Sequence, residues 1–348
     1  MISATQSDSI LKIKDLNVEF DVEDGKLHIL RDVSLDIPRG SFLCIVGESG
    51  CGKSVTTQAI AQLLPNNGRI TSGEIIFNVD GENINIHSLE KFGSKMRSLR
   101  GAKIGMIFQD TLSSLNPAHK VGRQVAEVLL QHTDISKEDA RSKVVELFKR
   151  IGIPDPERRY EAYPHEFSGG MRQRVMIAIA TICEPDLLIA DEPTTALDVT
   201  IQAQILELLK DLQKNEGRTF VLITHNMALV SEVADHVAVM YLGRVVEYGT
   251  TTQVLFDPKH PYTRALLKSV PALDADKEVE LKTVEGQTPS PADVTEGCEF
   301  AGRCPFVIES CRTGLIRLRT LAAGHQVRCA RVDELGKLPL LKIGGVNE

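Results

Sequence analysis

The stretch GESGCGKS, residues 47–54, fits the phosphate-binding pattern G-x-x-x-x-G-K-[ST]. It follows an apolar run, Phe42–Val46, that predicts a buried strand, and it precedes VTTQAIAQLL, which predicts a helix. Glycines let successive N–H groups face one centre, and the helix N-terminus adds the positive end of its dipole. Lys53 would place its charge on the terminal phosphates, and Ser54 would offer a hydroxyl to Mg²⁺. The residues expected to contact a nucleotide here are Gly47, Glu48, Ser49, Gly50, Cys51, Gly52, Lys53, Ser54 and Val55.

A second polar group follows another apolar run, LLIADE, where Asp191 and Glu192 come at the end of a predicted strand. In parallel sheets, ligands bind outside the carboxyl ends of the strands. Asp191 would therefore hold the Mg²⁺ shell, and Glu192 would orient and deprotonate an attacking water. An acid pair at a strand end can also serve as a helix cap, and the pair alone leaves that alternative open.

Composition narrows the class of protein. The chain has 348 residues, 42% apolar and 25% charged, enough for one large domain and an accessory one. Its net charge of -7 provides no basic field, so we expect no nucleic-acid partner. The N-terminus lacks a secretory-signal pattern, and no apolar run approaches the ~18 residues of a membrane span. We therefore expect a cytoplasmic protein with reduced thiols.

Strands and helices alternate along most of the chain, which favours an α/β core with a parallel sheet. Leu11–Val22 alternates like a half-buried strand, and the pattern over about 116–166 is helical. Within that stretch, Ser136 with Asp139 three residues on is typical of a helix N-terminus. TFVLITHN predicts a further buried strand.

The pattern changes towards the C-terminus. A helix is expected over roughly 199–214, and VAVMYLGRVVEYG predicts a hairpin that turns at Leu242 and Gly243. After Thr263 the sequence becomes polar, acidic and interrupted by prolines, which predicts a linker or an irregular lobe.

Three segments carry a resemblance when they are taken together: the P-loop GESGCGKS at 47–54, FSGGMRQR at 167–174 and LLIADEPTTALD at 187–198. On these segments, the chain resembles the ATP-binding subunits of ABC transporters over about 10–265. The resemblance implies an α/β P-loop NTPase core with a helical subdomain over about 110–166. It also implies an ATPase that uses ATP and Mg²⁺.

The resemblance assigns roles to single residues outside the P-loop. Gln109 in MIFQD would be the Q-loop glutamine, which touches Mg²⁺ or the attacking water. His225 in LITHN would be the switch histidine that contacts the γ-phosphate, and Asp198 in TALD would be the D-loop aspartate. Phe20 is the candidate for stacking on adenine, with His28 as a rival. Nearby N–H groups could lower the pKa of Cys51, although this residue more simply fills a variable position.

The segment FSGGM resembles the signature motif of the family but departs from the common LSGGQ at Phe167 and Met171. Its phosphate-binding groups are retained, namely Ser168, Gly169 and Gly170. Taken alone, Ser-Gly-Gly before an apolar helix is equally typical of an ordinary N-cap. In the family, the signature of one subunit closes over the P-loop of another, which implies a dimer with itself or with a second ABC ATPase.

DPKHPYTRALLKSVP, at 257–271, and the segment after Gln109 resemble ATPases of oligopeptide, dipeptide and nickel importers. The resemblance implies an ATPase that powers peptide import, with nickel or another small solute as the alternative cargo. Its partners would be two membrane permease subunits, a second ATPase and an extracytoplasmic binding protein. The chain would lie peripherally on the cytoplasmic face of the membrane.

Four cysteines lie close together near the C-terminus, at Cys298, Cys304, Cys311 and Cys329. None forms the close C-x₂₋₄-C pair usual in structural zinc sites. In the resembled group, such a quartet is the ligand set of a 4Fe-4S cluster, whose charge Arg303 would help to offset; zinc and unligated thiols stay open as alternatives. His325 is a possible extra ligand but is expected at the surface. The predicted domains are a nucleotide-binding domain over 1–265 and a metal-stapled extension over 266–348.

Overall fold

The computed structural model describes residues 9–23, 25–109, 114–194, 197–268, 286–294 and 296–335. The described residues fall into two compact units. The first unit lies within 1–11, 37–42 and 76–222, and the second within 12–36, 43–75 and 223–348. The domain boundary expected between residues 265 and 266 falls inside a helix and stays a prediction.

The strands of the described residues are β1 Ser9–Val22, β2 Gly25–Pro38, β3 Phe42–Val46, β4 Gly68–Val79, β5 Glu82–Asn85, β6 Ile104–Ile107, β7 Leu187–Asp191, β8 Thr219–Ile223, β9 His236–Tyr241, β10 Arg244–Thr250, β11 Arg319–Thr320 and β12 Gln326–Val327. The α-helices are α1 Lys53–Ile60, α2 Ser94–Leu99, α3 Val121–His132, α4 Lys137–Arg150, α5 Pro156–Tyr160, α6 Gly169–Thr181, α7 Val199–Glu216, α8 Met227–Val233, α9 Thr251–Phe256, α10 Pro261–Lys268, α11 Ser310–Thr313 and α12 Val332–Leu335. Short 3₁₀ turns lie at Ile86–Ser88, Pro164–Glu166, Pro291–Asp293 and Ala322–Gly324. Across these ranges, no helix combines the length and the apolar character that a bilayer crossing needs. The mixture of strands and helices confirms the predicted α/β class.

The second unit is built on a five-strand arrangement in the order β11, β12, β10, β9, β3. β3 is parallel to β9, whereas β9 and β10 form the predicted antiparallel hairpin. Its turn residues Leu242 and Gly243 both have positive φ, 42° and 79°, as a tight two-residue hairpin turn requires. β3 is buried along its whole length, because apolar side chains fill both of its faces.

In the first unit, β6 and β7 are parallel, and Ile107 lies opposite Ala190. Helices α3, α4 and α5 pack on one another and confirm the helical segment expected over about 116–166. The Ser136 hydroxyl accepts the Asp139 N–H at 3.1 Å and starts α4 as its sequence predicts. This unit therefore follows its local sequence signals closely.

A buried polar cluster organises the C-terminal part of the second unit. The Glu247 carboxylate, with no exposed surface, accepts the N–H groups of Lys259 at 2.7 Å and His260 at 2.9 Å. Nε2 of His325 lies 2.8 Å from the same carboxylate, and Nδ1 of His260 accepts the Tyr262 N–H at 3.1 Å. The expected surface position of His325 is therefore wrong, because this imidazole is buried against a carboxylate.

Burial lowers the pKa of the His260 imidazole from 6.5 to about 3. This value includes a hydrogen bond with the Arg328 backbone, which opposes burial, and the charge of Arg328, which adds to it. In the unfolded chain, the imidazole takes up a proton below about pH 6.5. Between these two values the unfolded state binds the extra proton, so the free energy of unfolding falls as the pH drops through this window.

We expect His260 alone to reduce the free energy of unfolding by about 2 kcal/mol between about pH 8 and about pH 5. His260→Gln removes this contribution, because its amide is uncharged at both pH values, while its oxygen can still accept the Tyr262 N–H. Denaturant unfolding of both proteins at the two pH values measures the difference. Burial also lowers the pKa of His236, which leaves a residual pH dependence in the variant. Equal pH dependence in the two proteins would contradict the assignment.

Candidate nucleotide site

The P-loop joins β3 to α1 in a tight backbone curl. Gly47 has φ of 152°, and a Cβ at this position would collide with the backbone carbonyl of Met240. Gly52 caps α1 in the left-handed region with φ of 101°, and a Cβ there would lie 2.7 Å from Cδ2 of Leu30. Both positions therefore require glycine for conformation and for space.

The predicted phosphate-binding cation lies against the loop backbone. Lys53 is only 7% exposed, and its Nζ donates to the carbonyls of Gly47 at 2.9 Å and Glu48 at 3.0 Å. Ser54 and Val55 are half-buried in the first turn of α1, and Ser49 with Gly50 is exposed. The exposed part of the loop thus offers backbone groups, and the Lys53 charge sits beside them.

The Cys51 thiol inside the loop is buried at 1% exposure. Burial raises its pKa, and the nearby Lys53 charge only partly offsets the effect. Backbone N–H groups of the loop do act to lower this pKa, but desolvation outweighs them and the net pKa is raised. Cys51 fills the loop as an un-ionised thiol.

The two candidates for contacting adenine lie on neighbouring strands of the second unit. Phe20 on β1 is half-buried with its ring against Gly68, so that a Cβ there would lie 2.9 Å from the ring. His28 on β2 is paired with Glu19, its Nε2 lying 2.7 Å from the carboxylate. Phe20 as the stacking residue stays a prediction.

His225 lies just beyond β8, on an exposed turn. The N–H of Thr224 donates to the carbonyl of Ile45 at 3.3 Å, which ties this turn to the strand that leads into the P-loop. Asn226 then caps α8 by accepting the Ala228 N–H at 3.0 Å. The structure therefore places His225 beside the P-loop strand within the second unit.

The acid pair and the Q-loop residue meet in the first unit. Because Ile107 and Ala190 are paired in register, Gln109 and Glu192 each follow two residues later at the same edge. Nε2 of Gln109 donates to Oε2 of Glu192 at 3.1 Å, and Asp191 ends β7 with 6% exposure. Glu192 has φ of 45°, a strained conformation for a non-glycine residue that is typical of functional sites.

The signature segment forms the N-terminus of α6 in the first unit. The Ser168 hydroxyl accepts the N–H of Met171 at 3.3 Å, which makes it an N-cap, as one alternative expected. Asp198 caps α7 in the same way by accepting the Ile201 N–H at 2.9 Å. An open groove brings the two helix starts together, and its lining includes Gly152, Ser168, Gly169, Gly170, Arg174 and Asp198. A helix N-terminus suits a phosphate, and each cap accepts only one of the N–H groups that the first turn presents.

The four late cysteines share one small apolar cavity in the second unit. The Cys298 N–H donates to the Cys311 carbonyl at 2.7 Å, and the cavity is lined by Cys298, Cys304, Cys311, Cys329, His260 and Phe300, among others. Burial raises the pKa of Cys298 to about 12 and that of Cys329 to about 11, so these thiols are protonated as they stand. In the described parts of the chain, no group of three or more His, Cys, Asp or Glu is arranged to hold a metal ion. The four thiols therefore share one cavity, but their side chains are not arranged there as the ligands of a metal centre.

Arg303 does not serve these thiols as expected from the sequence. Its guanidinium pairs with the Glu48 carboxylate of the P-loop. Glu48 also forms hydrogen bonds with the hydroxyl groups of Thr288 and Tyr262. Sequence reasoning missed all three contacts, because no local pattern links residues more than 200 positions apart. Arg331, instead, lines the thiol cavity.

Comparison with protein families gives two matches. The ABC transporter family matches residues 30–195, and the family described as the C-terminal region of oligopeptide/dipeptide transporters matches residues 246–311. A solved structure titled as a dimeric post-hydrolysis state of the ATP-binding cassette MJ0796, bound to ADP and Pi, is 28% identical with a TM-score of 0.61. It covers 69% of this chain and 98% of its own.

Relatives among characterised proteins match almost end to end. The dipeptide transport ATP-binding protein DppD of Bacillus subtilis is 46% identical over 94% of this chain and 96% of its own length. The oligopeptide transport ATP-binding protein OppD of the same organism is 50% identical over 86% of this chain and 82% of its own length. The chain therefore belongs to the ATP-hydrolysing subunits of ABC transporters, in the group that carries the oligopeptide/dipeptide transporter C-terminal region.

Proposed function

We propose that this chain powers the import of di- and oligopeptides through a membrane ABC permease. The observation that carries its hydrolytic role is the contact between Gln109 and Glu192 at the carboxyl edge of β6 and β7. The cargo class is supported by the end-to-end similarity to dipeptide and oligopeptide transport proteins.

The proposed site divides its work by residue type. Lys53 and the P-loop N–H groups bind the phosphates, and His225 contacts the γ-phosphate. Ser54, Gln109 and Asp191 would hold Mg²⁺, since hydroxyl, amide and carboxylate oxygens suit a hard cation. When bound, this ion neutralises charge on the phosphates. Glu192 accepts the proton of the attacking water, with Gln109 fixing the carboxylate that does so.

The proposed assembly is a dimer, in which the groove at Ser168 and Asp198 faces the nucleotide of a second ATPase subunit. Two solved structures of one relative, the cassette MJ0796, are described as dimeric in their titles, which supports this arrangement. Two permease subunits and an extracytoplasmic binding protein complete the transporter, and the chain lies peripherally on the cytoplasmic face of the membrane. ATP binding joins the two ATPase subunits, and hydrolysis separates them.

Glu192→Gln should lower ATP turnover by roughly a hundredfold or more, because an amide cannot take the proton from water. ATP binding should persist, and the variant should accumulate as an ATP-bound dimer on size-exclusion chromatography. Glu207→Gln, on the exposed face of α7, is the matched control and should turn over like the wild type. Turnover by Glu192→Gln near the wild-type rate would contradict its role as base.

The transported class is tested by purifying the chain with its permease subunits and binding protein in lipid vesicles. We expect di- and tripeptides to stimulate ATP turnover and to enter the vesicles, because the peptide-type relatives match this chain end to end. Ni²⁺ in place of peptide should have no such effect. Stimulation by Ni²⁺ alone would replace the peptide assignment with the nickel alternative.

We also propose that Cys298, Cys304, Cys311 and Cys329 hold a 4Fe-4S cluster, with Zn²⁺ as the alternative. Support comes from their convergence on one cavity and from their spacing in the sequence. The raised pKa values mean that binding must displace the thiol protons. The centre would then act as a structural staple for a lobe with few large apolar residues.

Anaerobically purified protein should absorb broadly near roughly 400 nm and contain iron and sulfide. Cys311→Ser should reduce the absorbance and the iron content together, since it removes one thiolate ligand. Cys183→Ser, outside the quartet, should change neither. Colourless protein with one equivalent of zinc would favour the alternative, and metal-free protein would contradict both.

A further inference from the structure

The second residue of the P-loop, Glu48, is held by side chains from the C-terminal segment over 286–303. Arg303 donates from Nη1 to Oε2 of Glu48 at 2.7 Å and from Nη2 to Oε1 at 3.0 Å. The Thr288 hydroxyl donates to the same Oε2 at 2.6 Å. Both carboxylate oxygens are therefore bonded, in the two-pronged geometry that makes arginine–carboxylate pairs strong and specific.

Contacts with residues other than Glu48 also hold the Arg303 side chain in position. Its side chain is only 6% exposed, and its guanidinium lies 5.9 Å from the Tyr241 ring centre and 6.0 Å from that of Phe300. The neighbouring Tyr262 hydroxyl accepts the backbone N–H of Glu48 at 3.0 Å. Aromatic walls and a main-chain hydrogen bond thus fix the geometry of the pair from both sides.

Glu48 is also in contact with the phosphate-binding cation. Its carbonyl accepts from Lys53 Nζ at 3.0 Å, while its carboxylate faces Arg303. Burial disfavours the ionised carboxylate, but hydrogen bonds from Arg303 and Thr288 outweigh burial and lower its pKa. A carboxylate without this pairing would repel the phosphates that the loop is built to receive.

We propose that Arg303 is a positioning residue of the nucleotide site, which neutralises Glu48 and holds the P-loop in its phosphate-binding form. The C-terminal segment therefore sets the affinity of the loop for ATP phosphates without touching them. The inference rests on the phosphate role proposed for the P-loop.

Affinity for a fluorescent ATP analogue with Mg²⁺, measured on the full-length chain, tests the proposal. Arg303→Gln should weaken binding roughly ten- to hundredfold, because it leaves a charged carboxylate in the loop. In a Glu48→Gln background the same Arg303→Gln change should cost little affinity, so the double variant should bind about as well as Glu48→Gln alone and better than Arg303→Gln alone. Arg303→Lys keeps the charge but not the fork, so its affinity should be intermediate.

The recovery in the double variant separates positioning from simple anchoring of the segment. An anchoring role would weaken binding equally whether residue 48 is Glu or Gln, and this result would overturn the proposal. Arg319→Gln is the matched control, because it breaks an exposed arginine–carboxylate pair with Asp333 that lies outside the segment over 286–303. Normal affinity of a correctly folded Arg303→Gln variant would also overturn the proposal. Lys53→Ala tests the phosphate site separately, since unchanged affinity there would contradict the role of the loop itself.

Discussion

The curl of the P-loop depends on close backbone contacts between the loop and the β9–β10 hairpin. A Cβ on Gly47 would collide with the carbonyl of Met240, and one on Gly243 would collide with the carbonyl of Ile29. The Gly243 N–H donates to the Cys51 carbonyl at 2.9 Å across this contact. The hairpin therefore constrains the loop conformation from outside.

Because the backbone of the P-loop is held in one conformation, the charges of its side chains matter for phosphate binding. Lys53 and Glu48 carry opposite charges, and each is tied to groups other than a nucleotide. In the first unit, the Gln109–Glu192 contact plays a comparable part, since an amide orients a carboxylate at a strand end. At Glu48 and at Glu192, a neighbouring side chain thus holds the carboxylate in position.

Local signals in the sequence predicted several of the elements and the acid pair at the end of a strand. The buried run Phe42–Val46 matches β3, and the cap at Ser136 starts α4, because periodicity and capping are read over a few neighbouring residues. The meeting of Gln109 with Glu192 also follows, since parallel strands in register end together. In these parts of the fold and the site, short stretches of sequence determine which residues come into contact.

Contacts between distant segments were beyond sequence reasoning. His325 lies 78 residues from Glu247, and Arg303 lies 255 residues from Glu48. A single histidine or arginine in a polar segment has no pattern that names its partner, so one was expected at the surface and the other beside the thiols. The cysteine spacing likewise predicted a shared location, but it could not predict protonated thiols without a ligand arrangement.

A cluster of aromatic side chains in the second unit connects the thiol cavity to the P-loop. Phe300 lines the cavity and packs at 5.4 Å, between ring centres, on both Tyr241 and Tyr262. Tyr262 bonds Glu48 of the P-loop, and all three rings are almost fully buried. Close-packed interiors transmit small displacements rather than absorbing them. Arg303 directly precedes Cys304 in the chain, so the arginine that holds Glu48 and the thiol cavity are joined by the backbone as well as by these packed rings.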